Sequence, residues 1–486
     1  MHCRRFIDCY LTDVYNVHVL VGNHPLRRSS RMRAAGRRWQ EADQVRRGRL
    51  GGRPVARPLP GRSRLAGAAV ALVAVGCAAL SAGCSAASAA GAARISSTGP
   101  ITFATGKVDT SYLRPLIAIW NAAHPTQKVT PIYLPDDADD QYAQLVANLQ
   151  AHSTVYDVMS LDVIWTAEFA SSGWITPISP KPFPLSSFLR PAVATATYQG
   201  HLYAVPFTSN ATLLYYRKDI LKAAGAGPPV TWAQLASDAA TIAPRYGLGG
   251  YGSQFQAYEG LTVNFAEAVQ SAGGSLLSPG GAVTVDSPQA ATALQFLVSG
   301  LRDGWIPKAT LDWNEEASRQ AFEAGKLLFL SNWPYVYLDA SERTPGNKVA
   351  GKFGVVPLPG LHGPGSSTLG GANLAISAYS LHPATALAFI KFLTSESSER
   401  QVLLRSALPP VWTALYSQPS LVRRFPFLPE EKQAILAAKP RPAIVNYNQF
   451  SLAVSSAVHQ ALAQQVSVSA TLTELSAELR QIIRSD

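Results

Sequence analysis

The sequence predicts an α/β fold: sheets of mainly parallel strands covered on both faces by helices. Three observations carry this. Short runs of strand type at 101–105, 129–134 and 156–161 are separated by stretches with apolar residues at helical spacing. The same alternation resumes beyond residue 210. The chain has 486 residues, 47% hydrophobic and 15% charged, enough apolar content for a sizeable core in more than one compact unit.

Taken in order, 101–105 is a strand, and the segment after it places Leu113, Leu116, Ile117 and Trp120 on one helical face. The strand at 129–134 leads to an amphipathic helix at 141–150, and 156–161 is a short buried strand. Further on, Ser287-Pro288 caps and starts a helix that carries Leu294, Leu297 and Leu301 and ends at Gly304. A helix at 315–324 closes on Gly325, and a strand at 326–330 runs into Ser331-Asn332-Trp333. Pro383 opens a helix with Ala386, Phe389, Ile390 and Leu393 on one face, and Leu472, Leu475, Leu479 and Ile482 mark the last. The glycine-rich stretch 247–252 neither follows a strand nor opens a helix, so it reads as a loop rather than a dinucleotide fingerprint. No internal repeat is visible.

The net charge of +11 raises nucleic acid or an anionic surface as partners, and its placement removes the first. Residues 1–83 hold 15 of the 42 Lys/Arg and 4 of the 31 Asp/Glu, leaving 27 of each sign in the rest of the chain. No basic stripe remains to follow a phosphate backbone.

At that basic end, Arg62-Ser63-Arg64 precedes an apolar stretch, 65–82, that closes on Ser81-Ala82-Gly83 before Cys84. A positive flank, an apolar run and small residues before a cysteine describe a lipoprotein signal peptide at 62–83 with Cys84 as the lipidated residue. Cys77 is the alternative acceptor, and Ser81 stands where such signals usually have Leu. A single membrane-spanning helix competes, but the run is rich in Ala and Gly and inserts weakly. Residues 1–61 are a basic extension too long for an ordinary leader, which makes Met32 a candidate start. Residues 84–98, mostly Ala, Ser and Gly with one Arg, are a flexible tether.

Catalytic signatures are missing: there is no Walker loop, G-x-S-x-G elbow or H-E-x-x-H, and the nine histidines lack ligand spacing, so neither cofactor nor metal is expected. The acidic pairs Asp136-Asp137, Asp139-Asp140 and Glu315-Glu316 read as solvated faces or helix N-termini.

From residue 99 onward the chain resembles the bacterial extracellular solute-binding proteins of the maltose and trehalose type. The resemblance is carried by Gly200-His201-Leu202-Tyr203-Ala204-Val205-Pro206-Phe207 running into Leu214-Tyr215-Tyr216-Arg217-Lys218-Asp219-Ile220-Leu221. Thr231-Trp232, Ala321-Phe322-Glu323-Ala324-Gly325-Lys326, Asn332-Trp333 and Phe353-Gly354-Val355-Val356-Pro357-Leu358-Pro359 support it in order and spacing. It implies a two-lobed periplasmic-binding-protein-like fold (type II) whose hinge is crossed near 209–212, 370–373 and 407–412. The first lobe is then 99–208 plus 373–407, and the second 212–370 plus 412–486. The implied role is a monomeric, lipid-anchored protein on the extracytoplasmic face of the cell membrane. It captures a small carbohydrate such as trehalose or maltose between its lobes and delivers it to an ABC transporter permease. The competing classes are a secreted carbohydrate-active enzyme and a ligand-sensing envelope protein.

A sugar needs carboxylates and amides for its hydroxyls and an aromatic plane for its ring face. Asp162 follows a strand at its carboxyl end, where parallel sheets present ligands. Asp109 in the first strand-to-helix loop, Asn210 at the hinge and Glu259 join it; Trp333 is the stacking residue. Gly370 and Gly371 allow backbone amides to approach a ligand, and Arg441 matches a family position that ties sugar hydroxyls to the second lobe. Trp165, Trp174, Trp232 and Trp305 are assigned to packing.

Overall fold

A computed structural model describes residues 97–484; the extension, the signal, Cys84 and all but the last two residues of the tether lie outside the described residues. In chain order the two main sheets use β1 (Ile101–Gly106), β2 (Val129–Leu134), β3 (Val158–Asp162), β4 (Ala204–Ala211), β5 (Leu213–Arg217), β6 (Gly249–Gly252), β7 (Leu327–Asn332), β8 (Phe353–Val356) and β9 (Leu369–Ile376). The first sheet runs β2-β1-β3-β9-β4, the second β8-β5-β7-β6. The expected parallel pairing holds for β1 with β2 and β3 and for β6 with β7, while β9 runs antiparallel to β3 and β4, and β5 antiparallel to β7 and β8. Both sheets are therefore mixed, because the strands that pass between the lobes enter against the direction of the others.

The helix at Thr110–Ala123 buries Tyr112, Leu113, Leu116, Ile117 and Trp120, the face its spacing predicts. Each such side chain contributes about 1.5–3 kcal/mol when fully removed from water. Trp120 meets Phe389 edge-on at 5.4 Å, joining this helix to the one at Pro383–Leu393. Trp165, Trp232 and Trp305 are buried in the core and Trp174 packs against it.

The glycine-rich stretch read as a loop is in part a strand, β6. Its residues show no alternating side chains from which a strand could be inferred. They are glycines because neighbours approach too closely: a Cβ on Gly250 would lie 2.5 Å from that of Ala239 and 2.6 Å from the Trp305 carbonyl oxygen, and one on Gly249 2.5 Å from Pro307.

The chain leaves the first sheet after Ala211, enters the second at Leu213, and returns at Leu369. At Ala407, left-handed with φ 56°, the helix Glu396–Ser406 ends, and Pro410 folds back to bridge Thr208 of β4. The helix Leu428–Ala437 then packs on β4 and on the helix Arg190–Thr195, while Phe425 and Phe427 meet Tyr337 of the second lobe, so this stretch touches both lobes. The chain passes back at Lys439, which bridges Thr368, and the helix Tyr447–Leu462 packs on Glu259–Ser271. Buried carboxyls tie these passages together. Glu431 accepts the Ala211 N–H at 2.8 Å, and Glu267 accepts the Thr212 hydroxyl and the Thr368 N–H, the latter at 3.0 Å. Burial pushes Glu431 up to about 8 and Glu267 to about 7.

Candidate functional site

The carboxyl ends of β1, β2 and β3 each deliver an acidic turn to the same edge of the first sheet. After β1, Asp109 accepts from Thr105 Oγ1 at 2.6 Å and from the Tyr112 hydroxyl. Burial raises its carboxyl against the pull of those hydrogen bonds. After β2, Asp137 caps the helix Ala138–Gln150 by accepting the Asp139 N–H at 2.9 Å. Asp162 is the last residue of β3.

The second lobe answers with two helix starts and a strand end. Glu259 and Glu315 are the first residues of the helices Glu259–Ser271 and Glu315–Glu323, and Trp333 follows β7. Glu315 accepts from the buried Tyr258 hydroxyl at 2.6 Å and from the Trp333 side chain; burial raises its carboxyl nonetheless. Asp139, in the first turn of the helix Ala138–Gln150, lies near the start of the second-lobe helix Glu259–Ser271. Burial, then the like charges of Glu259 and Asp137, push Asp139 up to about 7.

Between the lobes sits Arg441, its side chain 2% exposed. Its Nη2 donates to Asp162 Oδ1 at 2.8 Å, and its Nη1 to Glu259 Oε1 at 2.5 Å. Glu259 also accepts from Tyr447 at 2.8 Å and from Ser451. One guanidinium thus links the last residue of a first-lobe strand to a second-lobe helix. Burial opposes the charge on Arg441, but Asp162 and Glu259 hold its pKa above the ordinary value.

Beside this centre, Asn210 of β4 is paired in register with Gly370 of β9. A Cβ on Gly370 would lie 2.4 Å from Asn210 Oδ1 and 2.7 Å from the Trp333 ring, so the indole lies over bare backbone. Gly371 has φ +130°, and a Cβ there would be 2.2 Å from the Thr208 carbonyl oxygen. Among the described residues, Asn210 Oδ1 and Arg441 Nε are buried without a hydrogen-bond partner. Tyr215 fixes the Trp333 backbone by donating to its carbonyl at 2.9 Å.

A cavity of about 400 Å³ opens between the lobes, lined by Asp109, Tyr112 and Asp136 from one side and Glu315, Trp333 and Tyr335 from the other, with Arg405 at its exposed rim. Of the residues named from sequence, Asp109 and Trp333 line this cavity, Gly370 backs the Trp333 ring beside Asn210, Gly371 packs on Thr208 of the paired strand, and Asp162, Glu259 and Arg441 form an ionic centre at the lobe junction. Both Glu259 oxygens are already taken by its own chain. Glu315, Tyr335 and Arg405 were not named. The acidic pairs do start helices as expected, but Glu315 and Asp139 also face the opposite lobe instead of bulk solvent. The position of each pair just after a strand or at the head of a helix was the available signal.

A model of the bacterial extracellular solute-binding protein family matches residues 104–400, more than half of the chain. A probable ABC transporter-binding protein of Deinococcus radiodurans is 33% identical over 366 residues, 72% of this chain and 86% of that one. The mannitol-binding protein of Pseudomonas aeruginosa is 27% identical over 331 residues, 64% and 72% of the two chains. Among solved structures, maltose-bound MalE3 of T. maritima is similar with a TM-score of 0.75 and 33% identity, covering 79% of this chain and 99% of that one. The GacH receptor of Streptomyces glaucescens gives 0.72 and 26%, with 80% and 99% covered.

Proposed function

This chain belongs to the bacterial extracellular solute-binding protein family, and we propose that it captures a small polyhydroxylated solute, a carbohydrate, between its lobes for an ABC importer. Membership carries an extracytoplasmic location, and a family made up of solute-binding proteins supports a binding role. The observation that carries the ligand class is the inter-lobe cavity itself. It joins carboxylates of both lobes to the Trp333 and Tyr335 rings, the pairing of hydrogen-bond acceptors and apolar planes that a saccharide needs. Similarity to maltose-bound MalE3 and to a mannitol-binding protein supports the same class.

In this reading Asp109 accepts solute hydroxyls, Trp333 stacks on a ring face, and Asn210 offers its free Oδ1. Asp162 and Arg441 sit at the lobe junction, and Glu259 acts through Arg441 by holding its guanidinium. Gly370 and Gly371 let the indole and the hinge strands close up. Closure about the passages at Thr212, Thr368 and Lys439 would hide the solute and form the surface a permease recognises. The lobes comprise 99–208 with 373–407, and 212–370 with 438–486, the segment 413–437 bracing the base. A signal at 62–83 and lipidation at Cys84 would tether a monomer to the outer face of the membrane.

The test is thermal unfolding of the purified chain against mono- and disaccharides, maltose, trehalose and mannitol included. A bound solute raises the melting temperature, and by more the further its concentration exceeds its Kd. A shift given by a saccharide and reduced in Trp333→Ala supports the reading; shifts from amino acids or peptides alone overturn it. For the anchor, Cys84→Ala should release the protein from membranes, and retention on them would refute lipidation there.

A further inference from the structure

Resting on the carbohydrate reading, we propose that Asn332 is a positioning residue of the solute site. Its buried side-chain amide fixes Glu315 and Trp333 relative to each other, so that the carboxylate and the ring engage one solute as a unit.

Asn332 is the last residue of β7 and is fully buried, behind the wall that Glu315 and Trp333 present to the cavity. Its Oδ1 accepts the Trp333 backbone N–H at 2.7 Å. Its Nδ2 donates to the Glu315 carbonyl oxygen and to Ser318 Oγ, both at 3.0 Å. These partners settle which way the amide points, because a carbonyl oxygen can only accept and a backbone N–H can only donate. One side chain thus fastens the end of a strand to the first residue of the helix Glu315–Glu323.

A further layer holds that amide in place. Ser318 Oγ donates to the Glu315 carbonyl at 2.9 Å and accepts from Gln254 Nε2 at 2.9 Å, and the same Nε2 reaches the Ser331 carbonyl at 2.9 Å. Ser318 and Gln254 are buried as well. Burying an amide costs free energy unless its polar atoms are bonded, and both ends of Asn332 are. An apolar side chain could fill the same space with no partners to satisfy, whereas a satisfied polar network admits one arrangement of the groups it joins. The groups joined here are two that line the cavity. Glu315 accepts from the Trp333 side chain, and Tyr215 donates to the Trp333 carbonyl at 2.9 Å. The N–H, the carbonyl and the indole of Trp333 are therefore all held, with the ring over Gly370. A wall already in its binding geometry loses less conformational freedom when the solute arrives.

The test is calorimetric titration of the full chain with maltose, trehalose and mannitol, in the wild type, Asn332→Asp, Trp333→Ala and the double variant. Asn332→Asp keeps the shape and the acceptor for the Trp333 N–H, but sets an oxygen against the Glu315 carbonyl. For the solute the wild type binds most tightly, this change should weaken affinity about tenfold, yet by less than about twofold in the Trp333→Ala background. A side chain that only supports the fold lowers affinity equally in both backgrounds. Equal losses, or no loss from Asn332→Asp alone, overturn the proposal and leave the carbohydrate reading standing. Should Asn332→Asp fail to fold, Ser318→Ala removes one acceptor of the same amide and should give about a threefold loss with the same dependence on Trp333, under the same criterion. If the wild type binds none of the three solutes, the reading and the proposal fall together.

Discussion

The ionic centre at Arg441 and the cavity beside it are built from the same residue types at the same lobe junction, yet they treat charge in opposite ways. At the centre every carboxylate is answered: Arg441 lies between Asp162 and Glu259, and Tyr447 and Ser451 fill the remaining acceptors of Glu259. Around the cavity Asp109 and Glu315 have hydroxyl and indole partners but no paired cation among the described residues. The compensated cluster joins the lobes; the uncompensated carboxylates line the cavity between them.

That contrast is broken most directly at Arg441. Arg441→Met leaves Glu259 buried and unpaired, and should cost about 3–5 kcal/mol of unfolding free energy in urea. Combining it with Glu259→Gln should restore part of the loss. A single variant that loses less than about 1 kcal/mol would mean the two charges are not energetically coupled.

Gly371→Ala tests the floor shared by both regions, where φ is +130° and the Thr208 carbonyl is close. It should lower stability by about 1–3 kcal/mol in thermal unfolding, and an unchanged melting temperature would show that the hinge strands move apart freely. Removing the aromatic wall with Trp333→Ala should cut solute affinity by about tenfold, roughly 1.4 kcal/mol, with the larger part in binding heat rather than in stability.

The smallest effect has the opposite sign from the first. Asp139 has its pKa raised to about 7, so its contribution is fully present below the ordinary carboxyl pKa and is lost as pH rises through about 7. Asp139→Asn should therefore stabilise the protein above pH 7, by about 0.5–1 kcal/mol once solvent screening is allowed for, and change little at pH 4. A variant destabilised at pH 8 would show that Asp139 is charge-compensated after all. The hinge carboxyl Glu431, at about 8, should give Glu431→Gln the same pH signature at a higher midpoint.

Much of the first lobe was legible in the sequence because its signals are local. The spacing of Leu113, Leu116, Ile117 and Trp120 named the buried face of a helix, and the short apolar run before Asp162 named a strand whose end reaches the cleft. β6 was illegible because its glycines carry no side-chain pattern, and their reason lies in Ala239, Trp305 and Pro307, distant along the chain. The fold-back of Pro410 onto Thr208 was illegible too, because a proline-rich turn after Ala407 looks the same whether it leaves a sheet or folds back onto it.

The sequence by itself determined the alternation of strands and helices, the acidic turns at strand ends and the residues from which a site could be drawn. It could not decide which charges meet. Arg441 reaches Asp162 across 279 residues and Glu259 across 182, and whether a carboxylate is neutralised by its own chain or left open depends on such distances in space. Only the tertiary structure separates Glu259, saturated and buried, from Glu315, equally acidic at an equally plain helix start, because electrostatic compensation is set by burial and partner geometry that sequence order does not record.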